Sequence, residues 1–281
     1  MSWTDSYWDT VNEFYWVPTY LGLKSIPRKK WTIDAGTVSI PIEVTNPSGP
    51  LYRRIINSKD FPEFIRRQEE TFNHLFNLTL SLLPGKLIST TFQPFFEKTI
   101  ETDYLLANSE HYRGFPWIDN ANVSTPDSFL ISDESILAVE IKFNAKTSLD
   151  QLAKYVALIA SEMIYGRQQQ HYSLLYIYPN NAVEKFHKEI SLLPSDIDEN
   201  CLNLLIENCK NKKACDFLMH ESNAVKQVLE NLEVSCITWQ NMHERLAELI
   251  EELSDSVGDQ TLARLLGGLN TEIERHPLSG V

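Results

Sequence analysis

Residues 128–143 contain the feature that most limits how this chain can fold. Two short runs rich in β-forming residues, "SFLIS" and "ILAVEIKF", are separated by the polar triplet "DES". Runs of this length around a polar turn predict an antiparallel β-hairpin. Since the second run is too apolar for an exposed edge strand, we expect it inside the sheet of an α/β domain.

Charged residues interrupt these apolar runs. Asp127 precedes the first run, while Glu140 and Lys142 lie two apart in the second and therefore share one strand face. Pairing the strands brings Asp127 beside Glu140 and Lys142. Unpaired charges there would be costly, whereas two carboxylates at one end of a sheet can hold a divalent cation, with Mg²⁺ the first choice and Mn²⁺ the second. The backbone carbonyl of Ile141 is a further candidate ligand.

The segments around the hairpin predict the rest of an α/β unit with one sheet. Apolar spacing and the following Pro84-Gly85 predict a helix over residues 61–83, and Pro94 favours a second helix over residues 94–109. Residues 147–166 have a helical pattern that ends at Gly166, and residues 172–179 form a buried strand closed by Pro179. "KLISTTF", between the first two helices, is either a strand or a connector.

The flanking regions predict decorations on this core. "WTIDAGTVSIPIEV" has the alternation of a strand pair around Gly36, and "VSCITW" indicates a late strand before a helix with Asn241 as N-cap and Glu244 at N3. We divide the chain into an N-terminal decoration (1–90) with a basic segment and a helix, a core (91–180), and a mainly helical C-terminal extension (181–281) packed on the core. We expect the three parts to form one integrated domain.

These residues resemble the PD-(D/E)xK phosphodiesterase superfamily, which includes restriction endonucleases and RecB-like nucleases. Pro126-Asp127 and Glu140-Ile141-Lys142 match its motif, and Gln151 and Tyr155 match the Q-x-x-x-Y signature of the RecB-like branch. The resemblance covers residues 94–179 and implies a restriction-endonuclease-like core, a mixed central sheet flanked by helices. Motif matches of this kind are hypotheses that structural context must support.

The resemblance implies a Mg²⁺- or Mn²⁺-dependent endodeoxyribonuclease. Asp127 and Glu140 would hold the metal ion, Lys142 would position the attacking water or stabilise developing charge, and Gln151 and Tyr155 would steady the site and line the nucleic-acid groove. By analogy, such a chain fits a prokaryotic defence system or a mobile element. The alternatives are a catalytically silent nucleic-acid-binding or protein-interaction module on the same fold, and an RNase.

The family also supplies an acid from the helix before the sheet. Glu101 and Glu97 are four apart, and we prefer Glu101 because Tyr104 and Leu105 beyond it have the pattern of a buried face. Weaker candidates are Glu110, Glu69 and Glu70. The Q-x-x-x-Y pair has a structural alternative as well, since Gln151 fits a capping box with Ser148 and Tyr155 fits a core position.

The charge distribution points to nucleic acid only locally. The formal net charge is −13, but bases outnumber acids between residues 24 and 67. We expect DNA-backbone contacts from this segment and from two lysines beside the proposed groove: Arg28, Lys29, Lys30, Arg53, Arg54, Lys146 and Lys154. A solvated surface is the alternative. A homodimer or a partner subunit is left open.

Other sequence patterns limit the expected location of the protein and the kinds of site it contains. No apolar run approaches the roughly 20 residues of a membrane helix, and the acidic, aromatic N-terminus does not have the pattern of a secretion signal. The four cysteines form no C-x-x-C pair, which favours a reduced, cytoplasmic location. The histidines lack zinc-site spacing, and no phosphate-binding P-loop pattern occurs.

Overall fold

The computed structural model describes ten ranges and three single residues of the chain: 2–10, 32–34, 37–44, 52–56, 69–98, 100–107, 126–143, 147–166, 169–180 and 198–281, with His111, Phe115 and Trp117. The chain divides into two compact units, Met1–Phe72 and Asn73–Val281. The second unit contains the hairpin and the residues proposed for the site.

The first unit contains a helix and a three-stranded antiparallel sheet of order β1-β2-β3. Its elements are α1 (Trp3–Thr10), β1 (Thr32–Asp34), β2 (Thr37–Val44) and β3 (Tyr52–Ile56). The strand pair expected around Gly36 is therefore present. Helix α2 (Glu69–Leu82) begins in this unit and continues into the second; the first part of the helix predicted over residues 61–83 lies outside the described residues.

The second unit is built on a five-stranded mixed sheet of order β4-β5-β6-β7-β8. Its elements are α3 (Gly85–Phe92), β4 (Leu105–Leu106), β5 (Ser128–Ile131), β6 (Ser135–Ile141), α4 (Leu149–Tyr165), β7 (His171–Tyr178), α5 (Leu202–Asn208), α6 (Lys212–His220), α7 (Ser222–Asn231), β8 (Leu232–Thr238), α8 (Trp239–Glu252) and α9 (Val257–Arg275). Strands β4, β5 and β6 pair antiparallel, and β6, β7 and β8 pair parallel.

The predicted hairpin is β5–β6, with Ser128 opposite Val139 and Ile131 opposite Ile136. Ser132 fixes the turn, because its Oγ accepts hydrogen bonds from the backbone N–H groups of Ser135 (2.9 Å) and Glu134 (3.3 Å). Side-chain capping of this kind is why serine and aspartate favour turns. Continuing the register by one residue from Ser128 brings Asp127 level with Glu140.

Helices cover both faces of the sheet. Helix α4 packs on one face together with α5, α6 and α7. The sheet contributes alternate residues to this core: Phe129, Ile131, Ile136, Ala138, Tyr172, Leu174, Tyr176 and Tyr178. Helix α8 lies on the other face against β7 and β8, and it also contacts α3 and α9. Because β6 is buried on both faces, its residues are apolar except for Ser135 and Glu140.

The helix predicted over residues 94–109 is wrong. Pro94 begins only a short 3₁₀ turn, Gln93–Phe95, and Leu105–Leu106 forms edge strand β4. The edge of β5 offers backbone partners that outweigh helix propensity, and the Tyr104 hydroxyl hydrogen-bonds Ser135 Oγ at 2.8 Å. "KLISTTF", expected as a strand or connector, lies in helix α3.

Two further boundaries differ from the sequence-based expectations. Helix α8 begins at Trp239 with Thr238 as N-cap, and Asn241 is the N3 partner of that capping box rather than the cap. Strand β8 lies beyond the predicted core boundary at residue 180, yet it pairs with β7 in the same sheet. The sheet is thus completed by the C-terminal part of the chain.

An aromatic stack closes the C-terminal end of β6. The Phe143 ring stacks on Trp239 with centroids 4.9 Å apart and on His276 with centroids 3.6 Å apart. The Trp239 indole Nε1–H donates to the backbone carbonyl of Lys142 at 3.1 Å. Helices α8 and α9 thereby fix the strand end that carries Glu140 and Lys142.

Among the described helices, none combines the length and the apolar character that a membrane span requires.

Burial of His276 predicts a specific loss of stability in acid. Burial lowers the pKa of the His276 imidazole from 6.5 to about 4, so between these values the unfolded chain takes up a proton that the folded chain does not. The contribution of neutral His276 is complete above pH 6.5 and is lost as the pH falls toward 4. Relative to His276→Phe, which keeps an aromatic ring on Phe143, the wild-type free energy of unfolding should fall by roughly 1.4 kcal/mol per pH unit below 6.5. Urea titrations of both proteins between pH 7 and pH 4.5 measure this; a pH-independent difference would contradict it.

Candidate functional site

Glu140 is a buried carboxylate near the end of the central strand β6. Its residue is 3% exposed, and it lies opposite Tyr176 in the parallel pairing with β7. Alternation along β6 places Glu140 on the same face as Ile136 and Ala138, which pack in the core with α4. The strand therefore directs this carboxylate toward the first turns of α4.

Helix α4 supplies two of the groups that satisfy Glu140. Ser148 is the N-cap, and its Oγ accepts the Gln151 backbone N–H at 3.3 Å. The Gln151 side chain does not close a capping box; its Nε2 donates to Glu140 Oε1 and to the Tyr155 hydroxyl, both at 2.7 Å. Tyr155 in turn donates its hydroxyl to Glu140 Oε2. The four-residue spacing thus brings both side chains to one carboxylate, as the Q-x-x-x-Y pattern predicted.

Tyr155 remains a hydrogen-bond donor at any ordinary pH. Burial raises the pKa of its phenol well above 10, and the nearby Glu140 carboxylate raises it further. The same two causes, with burial the larger, raise the pKa of Tyr176. Because neither phenol ionises near neutrality, neither adds a negative charge beside Glu140.

Lys142 forms an ion pair with Glu140. Its Nζ contacts Glu140 Oε1, and its residue is 5% exposed. Burying two charges costs several kcal/mol per ion, and their attraction offsets this only when further hydrogen bonds satisfy the pair. Glu140 meets that condition through Gln151 and Tyr155.

Asp127 is held from two directions at the start of β5. Its Oδ2 accepts the Ile141 backbone N–H at 2.7 Å. From helix α2, Asn73 Nδ2 donates to Asp127 Oδ1, and Asn77 Nδ2 donates to the Asp127 backbone carbonyl at 2.6 Å. The structure thus brings Asp127 next to the Glu140-Ile141-Lys142 segment, as expected.

Asn73 and Asn77 are functional candidates that the sequence reasoning missed. They lie one turn apart on α2, about 50 residues before Asp127 in the chain. The available signal was a pair of amides at i and i+4 on an otherwise apolar helix face, where burial demands hydrogen-bond partners. That pattern does not by itself identify the partner.

The donors at this strand end fit a hard divalent cation. Within the described ranges, no three histidine, cysteine, aspartate or glutamate side chains gather closely enough to hold a metal ion. Mg²⁺, however, is commonly bound by one or two carboxylates together with water or neutral oxygens. Among the described residues, Asp127 and Glu140 provide two carboxylates, and Asn73 Oδ1 is a buried oxygen without a hydrogen-bond partner. The Ile141 carbonyl stays a prediction.

Glu101 and Glu97 lie at the other end of the sheet, so the structure contradicts their assignment to the site. Glu101 lines a cavity of about 580 Å³ with Asp133 and Glu134 of the hairpin turn, roughly 17 Å along β6 from Glu140. Glu97 is exposed, and its backbone N–H donates to the side chain of Glu233. Glu233 pairs with Ser173 near the start of β8, not at the end of the sheet that carries Glu140.

The physical reason is the direction of the edge strand. Because β4 runs antiparallel to β5, the residues just before β4 meet the turn end of the hairpin instead of Asp127. Of the weaker candidates, Glu110 lies outside the described residues, and Glu69 and Glu70 lie in the first turn of α2.

Most of the residues expected to contact DNA are not described. Arg28, Lys29, Lys30 and Lys146 lie outside the described residues, and Arg53 and Arg54 lie on strand β3, where only the backbone is described. Lys154 is on α4, where its Nζ forms an ion pair with Asp150 Oδ2 at 2.7 Å.

Lys210, just before α6, and Lys212 and Lys213, in the first turn of α6, form a lysine-rich loop that adjoins this ion pair. The Lys210 backbone N–H donates to Asp150 Oδ1 at 2.6 Å. Burial alone would raise the pKa of Asp150, but the bonds from Lys154 and Lys210 outweigh it and lower the pKa. Lys210, Lys212 and Lys213 are exposed here, beside the helix turn that carries Gln151.

Comparison with models of protein families, with curated proteins and with solved structures finds no match to this chain.

The hydroxyl of Tyr155 should contribute measurably to stability. Tyr155→Phe removes a donor to a buried charged carboxylate, which costs about 2 kcal/mol in the free energy of unfolding. Tyr165→Phe is the matched control on the same helix, because Tyr165 is 47% exposed and its change should stay within about 0.5 kcal/mol. Urea unfolding at neutral pH measures both; equal midpoints for the two variants would contradict the hydrogen bond to Glu140.

Proposed function

We propose that this protein is a Mg²⁺- or Mn²⁺-dependent nuclease that hydrolyses DNA phosphodiester bonds. The observation that carries the proposal is the convergence of Gln151 and Tyr155, from helix α4, on the buried Glu140 that is paired with Lys142. Asp127 is bonded to the next residue of the same strand. Acid, E-x-K and Q-x-x-x-Y segments thus meet at one strand end, as the resemblance to PD-(D/E)xK nucleases requires.

The mixed sheet with helices on both faces supports a restriction-endonuclease-like core. A central strand that pairs antiparallel with β5 and parallel with β7 carries the E-x-K residues, and the following helix packs on the face of Glu140. Fold and function are separate inferences, so the activity is argued from the side chains at the strand end.

In this proposal, the carboxylates of Asp127 and Glu140 would hold the metal ion. When bound, the ion would polarise the scissile phosphate and promote ionisation of water. Gln151 and Tyr155 keep the Glu140 carboxylate in one orientation, and the Ile141 N–H does the same for Asp127. Such fixed hydrogen bonds matter because a catalytic group must be held close to its productive geometry.

Lys142 has the cationic role. Its ammonium group contacts the Glu140 carboxylate on the same face of the strand and can orient a water molecule by hydrogen bonding. A positive charge fixed there also stabilises the negative charge that develops on the phosphate oxygens. The Trp239 bond to the Lys142 carbonyl fixes the backbone from which this side chain extends.

A plasmid-nicking assay with Mg²⁺ or Mn²⁺ tests the proposal. Asp127→Asn preserves side-chain shape but removes a charge, and it should lower the cleavage rate on the order of a hundredfold or more. Lys142→Met should do the same, with its fold verified by an unfolding transition. Asp133→Asn, in the exposed hairpin turn, is the matched control and should cleave like wild type.

Equal cleavage by wild type and Asp127→Asn would overturn the residue assignment. Binding of DNA by wild type without cleavage in either metal would favour the silent binding module. A parallel reaction with single-stranded RNA distinguishes a DNase from an RNase, because each substrate is then offered to the same site under the same conditions.

The lysine-rich loop predicts a DNA-backbone contact beside the site. Lys210→Gln with Lys212→Gln should weaken DNA binding and reduce the slope of log affinity against log salt by roughly 2, since each lost phosphate contact on duplex DNA removes about 0.9. Lys226→Gln with Arg264→Gln makes the same change in net charge on exposed residues of α7 and α9. Fluorescence anisotropy at several salt concentrations, without divalent metal, measures the slopes; the same slope for both double variants would exclude a contact at the loop.

A further inference from the structure

The two asparagines of α2 that bind Asp127 are satisfied to different degrees. Asn77 uses both ends of its amide: Nδ2 donates to the Asp127 carbonyl at 2.6 Å, and Oδ1 accepts the Ser128 hydroxyl at 2.7 Å. Asn73 uses only Nδ2, which donates to Asp127 Oδ1. Its Oδ1 is buried and has no hydrogen-bond partner among the described residues.

A buried amide oxygen without a partner costs about 1–3 kcal/mol, so such atoms call for an explanation. The orientation of Asn77 is fixed by two partners that cannot be exchanged, one acceptor and one donor. Among the described residues, Asp127 is the one hydrogen-bond partner of the Asn73 side chain. Turning the Asn73 amide by 180° would leave both ends without a partner, because the amide oxygen would then face a carboxylate that can only accept.

We propose that Asn73 Oδ1 is a ligand of the divalent cation held by Asp127 and Glu140. The inference rests on the proposed function, because it names a further oxygen of the same site. Without the ion, Asn73 donates to the Asp127 carboxylate. With the ion, the amide turns so that its oxygen and Asp127 Oδ1 both face the cation. A neutral amide oxygen is an ordinary ligand for a hard cation.

Charge explains why an amide suits this position. Asp127 and Glu140 are both carboxylates, and a third carboxylate at the position of Asn73 would repel Asp127 whenever the ion is absent. An asparagine instead donates a hydrogen bond to Asp127 when the ion is absent, and its oxygen binds the ion when the ion is present. It therefore stabilises the Asp127 carboxylate in both states. Helix α2 then has two distinct tasks, with Asn77 placing the backbone of Asp127 and Asn73 contacting the ion.

The variant Asn73→Asp distinguishes two possible roles of Asn73, as a ligand of the ion or as a residue that only positions Asp127. If Asn73 only donates a hydrogen bond, the aspartate loses the donor and ion binding weakens. If Asn73 is a ligand, the aspartate provides a charged oxygen, and Mn²⁺ should bind about tenfold more tightly, while the metal-free protein unfolds at a lower temperature. Asn73→Ala should weaken Mn²⁺ binding by about 10-fold to 100-fold.

The experiment is calorimetric titration of the purified chain with Mn²⁺ alone, together with thermal unfolding in the presence and absence of the ion. Asn77→Asp is the matched control, since it adds the same charge one turn away on the same helix. If Asn73→Asp raises the Mn²⁺ affinity more than Asn77→Asp does, the result supports coordination by residue 73. If both variants raise the affinity equally, or if Asn73→Asp binds Mn²⁺ more weakly than wild type, the proposal is overturned. Asp127→Ala identifies the site, because it should remove the measured binding.

The outcomes also separate this inference from the proposed function. Wild type that binds no Mn²⁺ overturns both. Wild type that binds Mn²⁺ with the same affinity as Asn73→Ala overturns only the role of Asn73. The expected affinities together with no cleavage of DNA would leave the ligand in place and overturn the nuclease.

Discussion

The buried carboxylate of Glu140 is the constraint on which the second unit depends. Placing this charge in the middle strand of a sheet requires compensation from every side. Lys142 provides it along the strand, and Gln151 and Tyr155 provide it from helix α4. The position of α4 on this face of the sheet is therefore set by polar contacts at its N-terminal turns as well as by the apolar core along its length.

The two carboxylates of the site are held in different ways. Glu140 is surrounded by side chains whose roles are fixed, since lysine and a protonated phenol can only donate to it. Asp127 is held by the backbone of Ile141 and by Asn73, whose amide has a donor end and an acceptor end. The hydrogen bonds around Glu140 are thus fixed in direction. Under the proposal for Asn73, the amide beside Asp127 changes its hydrogen bonding without a movement of the backbone.

Local patterns made the hairpin and α4 predictable, while contacts between distant segments were not. The alternation of "ILAVEIKF" and the spacing of Gln151 and Tyr155 are read within a few residues, and the structure follows them. The helix predicted from Pro94 does not form, because Leu105 and Leu106 pair with the edge of β5 as strand β4. No local sequence pattern indicates this pairing. The assignment of Glu101 to the site depended on the same predicted helix, so the structure does not support it.

Asn73 was missed for a related reason. An asparagine on a helix has no spacing rule that links it to an aspartate 54 residues later. Burial gives the only warning, since an amide inside a helix interface must find a partner. The family resemblance directed attention to glutamates, so the asparagines of α2 were not considered.

The number of acids in a cluster is a poor guide to the site in this protein. The cavity at the hairpin turn is lined by Glu101, Asp103, Asp133 and Glu134 with Lys86, and all five residues are exposed. Charges in water repel weakly and need no special arrangement. At the opposite strand end the described residues include two carboxylates, but a strand, two helices and a lysine are arranged around them. Because buried charge is costly, the number of elements that converge on a carboxylate is the better sign of a function, and that measure selects Glu140 and Asp127.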